Sequence, residues 1–307
     1  MAVLANIILP VLLVAGFGAL AHARLRFEVQ AFSKVTFYLF GPALTFDILV
    51  SSDVSGAEFG QIAAALVLAM VIVWGISELL AWALRLEAAV CGAFLIAILL
   101  GNAGNFGLPV NLFAFGEAGV TRAALFHTVN ALLTSSLGVY LASRSRAISP
   151  REVLRQVLAL PNLYVAILGI SINLLGWTVP EPIAKAAHLL GQGVVPCSLM
   201  VLGAQIRNTL RGARAAPGVG HRWGALVLAA VGKLVLLPVV GYGISTVLGI
   251  TGLTRSVITL QCAAPSAVMS LVLAAEFEGD LAFASSTVLV TTFASLLSVT
   301  AWLYLLM

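Results

Sequence analysis

Ten continuously apolar runs, at about 3–21, 31–50, 60–82, 88–116, 119–142, 153–176, 183–206, 223–248, 253–275 and 281–306, take up most of this 307-residue chain. Only 9% of its residues are charged, against about a quarter in an ordinary soluble chain. So few charges cannot clothe that much apolar mass in a water-facing surface, which excludes a soluble enzyme, a nucleic-acid-binding domain and a disordered scaffold. A membrane-crossing helix needs about 20 residues, the length of these runs. Transmembrane strands alternate apolar and polar positions, whereas these runs are unbroken. The expected fold class is therefore an all-α polytopic membrane protein with ten transmembrane helices.

The basic residues orient it. With the N-terminus outside, the inward connections hold twelve of the sixteen lysines and arginines: Arg24, Arg26, Lys34, Arg85, Arg144, Arg146, Arg151, Arg155, Arg207, Arg211, Arg214 and Arg222. The outward connections hold three, Arg122, Lys185 and Arg255, and Lys233 lies inside a span. That asymmetry places both termini on the non-cytoplasmic side. No positive charge precedes the first run, so Ala21-His22-Ala23 is read as part of a retained helix rather than a cleavage site. Short loops and an alanine-rich composition suggest a prokaryotic inner membrane. Cys91, Cys197 and Cys262 are odd in number, show no CxxC spacing and read as packing residues. The acidic residues Glu276, Glu278 and Asp280 read as a solvated loop, and His22, His188 and His221 as loop or interface residues.

The prolines suggest an internal repeat. Pro10, Pro42 and Pro109 are matched by Pro161, Pro196 and Pro265 at offsets of 151, 154 and 156 residues. They fall in spans 1, 2 and 4 of each half. The expected organisation is a first five-helix repeat at 1–142, a basic cytoplasmic connection at 143–152, and a second repeat at 153–307. Five spans is an odd number, so the second repeat is inverted with respect to the first, as in secondary transporters.

The fourth run contains Gly101-Asn102-Ala103-Gly104-Asn105-Phe106-Gly107-Leu108-Pro109. In a helix interior glycine costs about 1 kcal/mol and proline about 3, and an asparagine in lipid needs a partner for its amide. This segment should unwind, which backbone at membrane depth tolerates only where it lines a cavity. Half-helix ends then offer free N–H groups and partial positive charge to an anion. A kink packed through its glycines would explain the glycines but not both asparagines. The matching segment of the ninth run, Gln261-Cys262-Ala263-Ala264-Pro265-Ser266-Ala267-Val268, is a weaker breaker. Two broken helices meeting near the midplane would form a substrate site.

The run at 101–109 resembles the fourth-span signature of the auxin efflux carrier family. Ala264-Pro265-Ser266-Ala267-Val268, with Leu273-Ala274 and Gly279-Asp280, is similar to that family's ninth span and exit loop, and Pro196 with Leu202-Gly203-Ala204 to its seventh. The resemblance covers nearly the whole chain. It implies two inverted five-helix repeats with broken, crossing helices 4 and 9, an elevator-type movement of small organic anions, and a homodimer. Plant members of the family export auxin, and bacterial ones are linked to malonate and other small carboxylates. Family members often carry asparagine shortly after the ninth-span proline where this chain has Met269, which puts the coupling in doubt.

The function expected is a secondary carrier of a small organic anion, such as malonate, another carboxylate or an auxin-like acid. Asn102 and Asn105 would contact the carboxylate together with the freed N–H groups around Gly104. Gln261, Ser266 and Asn130 would complete the polar lining, while Gly107, Pro109 and Pro265 maintain the breaks. For Asn130, interhelical hydrogen bonding is an equal reading. Lys233 lies about eleven residues into its span, roughly 16 Å deep; an anion pathway, an ion pair and snorkelling all fit it. Asp47 is a cation, proton or Lys233 partner, or else a headgroup-edge residue. His127 is a proton-sensitive group or a simply hydrogen-bonded one, and Glu78 snorkels to the inner edge. No cofactor and no metal are expected; coupling to proton or sodium stays open. The partners are the anion and the lipid bilayer, with no nucleic acid. An ion channel or a transport-like sensor is the alternative. With no GxxxxGK[ST], the energy must come from the solute or an ion gradient. A membrane-embedded enzyme is disfavoured, since HExxH, GxSxG and an aspartate pair at comparable depth are all lacking.

Overall fold

The computed structural model describes residues 4–51, 56–142, 150–215 and 222–307. Among them every regular element is helical: α1 Ala5–Leu25, α2 Val29–Ser51, α3 Gly56–Ala83, α4 Ala88–Leu99, α5 Ala103–Ala142, α6 Pro150–Leu158, α7 Pro161–Leu175, α8 Glu181–Gly212, α9 Trp223–Val247, α10 Gly252–Cys262, α11 Met269–Glu276 and α12 Leu281–Leu306. Seven of these, α1, α2, α3, α5, α8, α9 and α12, are long and apolar enough to cross a membrane, and α4 and α7 are shorter apolar helices. The chain is thus an all-helical, multi-pass membrane protein. Most of the basic connection at 143–152 lies outside the described residues.

The helices depart from the runs where local chemistry interrupts them. The run 88–116 divides at Leu100–Asn102 between α4 and α5. Inside α5, Gly116 adopts φ 65° and ψ −158°, a left-sided conformation that a side chain would strain. That residue separates 103–115 from 117–142. The run 153–176 begins in α6 and restarts at Pro161, whose missing N–H suits a first helical position. The run 253–275 divides between α10 and α11.

Proline also explains most of the π turns. Leu4–Ile8, Thr36–Phe40, Ala103–Gly107 and Gly232–Leu236 are each followed two residues later by a proline: Pro10, Pro42, Pro109 and Pro238. The ring pushes away the carbonyl four residues back and offers it no donor, so the preceding turn opens by one residue.

The helices pack as two sets. In one, α1 lies along α8, and α2 lies against α7 and the start of α8. In the other, α3, α4, α5, α9, α10, α11 and α12 pack among themselves. Val11, Ala15, Leu199 and Leu202 of the first set meet Phe106, Val110 and Leu260 of the second in one apolar cluster.

Two ion-pair clasps tie helix starts of the second set together. Arg122 donates from Nε to Glu58 Oε1 at 2.7 Å and to the Thr254 hydroxyl at 3.0 Å, joining α5, α3 and α10. Arg222 pairs with Asp280 and reaches Glu87 at 3.5 Å, joining the starts of α9, α12 and α4. Asp280 also caps α12 by accepting from Phe283 N at 2.8 Å. It is therefore a fixed structural residue and not part of a merely solvated loop, a role that Arg222, 58 residues away in sequence, completes. The Arg122 and Glu58 side chains are only 21% and 18% exposed. Arg122→Met should accordingly cost about 1.5–3 kcal/mol, read as lost thermal stability in detergent. Lys185→Met, whose pair with Glu181 is about three-quarters exposed, should change stability by less than about 0.5 kcal/mol.

Candidate functional site

The two interrupted helices meet at their breaks. Gly101 and Ser266 form an isolated antiparallel bridge. Asn102 N donates to Pro265 O at 2.7 Å, and Ala267 N donates to Leu100 O at 2.9 Å. Backbone removed from a helix at membrane depth must find other partners, and each break supplies them to the other. Ser266 Oγ donates to Ala97 O at 2.7 Å, a carbonyl whose helical partner would be the Gly101 amide had α4 continued. Ser266 N donates in turn to Thr291 Oγ1 of α12 at 3.1 Å. Asn130 of α5 reaches Gly101 O at 3.4 Å. Gln261 donates to Ala123 O at 3.1 Å, and its Oε1 lies so close to Gly107 that a carbon added there would stand 2.0 Å away. Ser266 and Gln261 are both fully buried, so in this conformation they brace the crossing.

The start of α5 is built differently. Asn102 caps it, with Oδ1 accepting from Asn105 N at 3.2 Å and its carbonyl accepting from Phe106 N and Gly107 N at 3.2 and 3.0 Å. Those bonds leave the amides of Ala103 and Gly104 without a protein acceptor among the described residues. No acidic side chain stands in this first turn. Gly104 and Asn105 are half-buried. The Asn105 amide donates to Gln205 Oε1 of α8 at 3.3 Å, across the boundary between the two helix sets. Behind Gly104 stands His127, 2.8 Å from where a β-carbon would lie. Its ring packs edge-on against Phe37 of α2, 6.3 Å between centroids, and its Nδ1 has no partner among the described residues. Two unbound amides, a half-open asparagine, a glutamine and an imidazole therefore converge between the two sets. Such an arrangement suits a small anion.

Asn102, Gly104, Asn105, Gly107, His127, Asn130, Gln261, Pro265 and Ser266 thus gather at the crossing, and Pro109 sits in the first turn of the α-helical part of α5. Lys233 joins them, 1% exposed, against Gly101. Asp47 instead pairs with His188 Nδ1 at 3.0 Å. Lys233 has no carboxylate oxygen within 4.0 Å among the described residues, so no Lys233–Asp47 ion pair forms. Glu78 accepts from Trp74 Nε1 at 2.7 Å. Met269, at the start of α11, is 48% exposed. Gln205, Thr291 and Phe37 were not anticipated. Gln205 had a visible signal as an amide closing the otherwise apolar run 183–206, next to Leu202-Gly203-Ala204; a threonine or phenylalanine inside an apolar run carries none.

Residues 3–303 match the family described as membrane transport protein. An uncharacterized transporter of Methanocaldococcus jannaschii is 27% identical over 308 residues, covering 98% of this chain and 97% of its own. An uncharacterized transporter of Methanothermobacter thermautotrophicus is 29% identical over 278 residues, 90% of this chain and 88% of its own. A protein of Rhizobium meliloti, provisionally named a malonate transporter, is 26% identical over 216 residues, 67% of this chain and 64% of its own.

Proposed function

Because the chain belongs to the membrane transport protein family, that of the auxin efflux carriers, we propose that it is a secondary carrier of a small organic anion such as malonate, another carboxylate or an auxin-like acid. The observation that carries this reading is the pair of unbound amides at Ala103 and Gly104, placed beside Asn105 and Gln205 where the two helix sets face each other. Asn105, Asn102 and the amides about Gly104 hold the carboxylate. Gln261, Ser266, Asn130, Pro265, Gly107 and Pro109 keep the two breaks in register. The relative in Rhizobium meliloti adds weight to malonate as the first solute to try.

The architecture we propose is ten spans in two inverted repeats, 1–142 and 153–307, joined by a cytoplasmic connection. The two clasps support it. If the second repeat superimposes on the first, the starts of α3, α10 and the 117–142 segment correspond to those of α9, α4 and α12. Those are the helix starts joined by Glu58, Thr254 and Arg122 in one clasp and by Arg222, Glu87 and Asp280 in the other. Each clasp thus ties two helix starts of one half to one of the other, at the same three positions, and the charges of the arginine–acid pair are exchanged between them. The clasped set then moves as a rigid body against α1, α2, α7 and α8, in elevator-type alternating access. The protein resides in a prokaryotic inner membrane with both termini non-cytoplasmic, as a homodimer and without a cofactor.

The test is exchange of radiolabelled malonate in proteoliposomes, with unlabelled small carboxylates and indole-3-acetate as competitors. Wild-type exchange should saturate and show competition. Asn105→Ala should lower it roughly 10–100-fold, the loss expected for a hydrogen bond to a charged group, with folding unchanged by thermal denaturation. A folded Asn105→Ala that exchanges at the wild-type rate would sink the assignment of the site.

A further inference from the structure

Four helix ends meet at the crossing, and they are of two kinds. α4 and α10 both end there, at Leu99 and Cys262, so two carbonyl ends, each equivalent to about half a negative charge, face the same small volume. α5 and α11 begin there with the opposite polarity, and neither has an acidic side chain in its first turn. Left to itself, the carbonyl side of such a crossing attracts a cation and the amide side an anion.

Lys233 already stands on the carbonyl side. It projects from the π turn Gly232–Leu236 of α9 and is 1% exposed. A methyl group at Gly101 would lie 2.7 Å from its Nζ and 3.7 Å from the Ala264 carbonyl oxygen, so both line the same small space. Its placement is rigid: Gly232 rests on Ile98 of α4, 3.1 Å from where a β-carbon would lie. Trp302 of α12 donates from Nε1 to Leu234 O at 3.1 Å within the turn. No carboxylate among the described residues lies inside ion-pair range of the ammonium, and what lines its space is backbone just past the two carbonyl ends, Gly101 after α4 and the Ala264 carbonyl after α10.

We propose that Lys233 is a tethered cation that neutralises the carbonyl ends of α4 and α10, so that the anion held at the amide end of α5 is carried without an alkali cation bound beside it. This inference rests on the carrier reading above and adds what it leaves open, the coupling. Lys233 is a positioning residue: it acts on the helix ends, and the carboxylate meets the other side of the crossing.

Two arms test it. In proteoliposomes, wild-type malonate exchange should stay within twofold when sodium is replaced by potassium or choline on both sides. Lys233→Ala should fall at least tenfold in choline and recover partly when methylammonium fills the vacated space. The second arm needs no substrate: the melting temperature of purified Lys233→Ala should rise with methylammonium chloride over equimolar choline chloride, while wild type shows no difference. Sodium-dependent wild-type exchange, a Lys233→Met protein that exchanges at the wild-type rate, or a folded Lys233→Ala whose melting temperature ignores methylammonium would each overturn the proposal. If wild type exchanges no malonate at all, it is the carrier reading that suffers, and the melting arm still decides the role of Lys233. If Lys233→Ala does not fold, wild type decides alone: sodium-insensitive melting supports the tethered cation, and stabilisation by sodium over choline overturns it.

Discussion

With leucine in place of Gly203, the protein should not accumulate as a folded species in detergent. Gly203 of α8 faces α1 so closely that a β-carbon would lie 1.8 Å from Ala15 O and 2.9 Å from Ala19 N. One turn along, a carbon on Gly18 would lie 2.4 Å from Met200 O. All these atoms belong to the backbone and cannot rotate aside, so the two helices would have to separate along their whole contact. In a membrane, helices associate through close van der Waals packing with little hydrophobic driving force between them, and a gap at the closest approach forfeits most of that attraction. Overpacking commonly costs about 1–3 kcal/mol, and a leucine against a backbone carbonyl belongs at or beyond the top of that range. The control is Gly16→Leu on the partner helix α1, where an added carbon meets nothing within 4 Å. It should fold normally. Size-exclusion profiles and melting curves of the two variants check the pair of outcomes.

Gly107→Ala should cost both stability and transport, and a second substitution should return much of the stability. The new methyl would stand 2.0 Å from Gln261 Oε1 and 2.8 Å from its Cδ. Gln261 has little room to withdraw, being 1% exposed and bonded to Ala123 O. Either that bond breaks or the first turn of α5 shifts, taking the free amides of Ala103 and Gly104 with it. A displacement of about 1 Å is worth roughly a hundredfold in a site that depends on geometry, so malonate exchange should fall by about that factor. Gln261→Ala removes the obstacle. The double variant should melt above Gly107→Ala alone, with a coupling of about 0.5–3 kcal/mol between the two sites. Additive melting losses would show that the close approach is not what makes residue 107 a glycine.

Both predictions turn on contacts that were only partly legible beforehand. The break at 101–109 was legible because its causes are local: three glycines, two asparagines and a proline disfavour a helix wherever the segment lies. The ninth-run break was fainter: its matching place in the repeat pointed to its meeting with the fourth, and the crossing of the two came from the family likeness. Asp280 read as a solvated residue because an isolated acid in a loop gives no sign of Arg222, which holds it. Ser266 read as lining, yet its hydroxyl is spent on Ala97 O, 169 residues away in sequence.

The chain by itself determined that it lives in a membrane, which segments are apolar enough to cross it and where one of them must come apart, since those properties follow from composition and backbone propensity within a few residues. Only the tertiary structure decided which way each helix faces. Asn105 meets Gln205, Lys233 meets Gly101 and Asp47 turns to His188, and no periodicity announced any of it. A helix in water reveals its buried face by an apolar stripe. In lipid the exposed face is as apolar as the buried one, so that stripe disappears, and a helix's rotation is written only in the small and polar residues it matches with others far away in the chain.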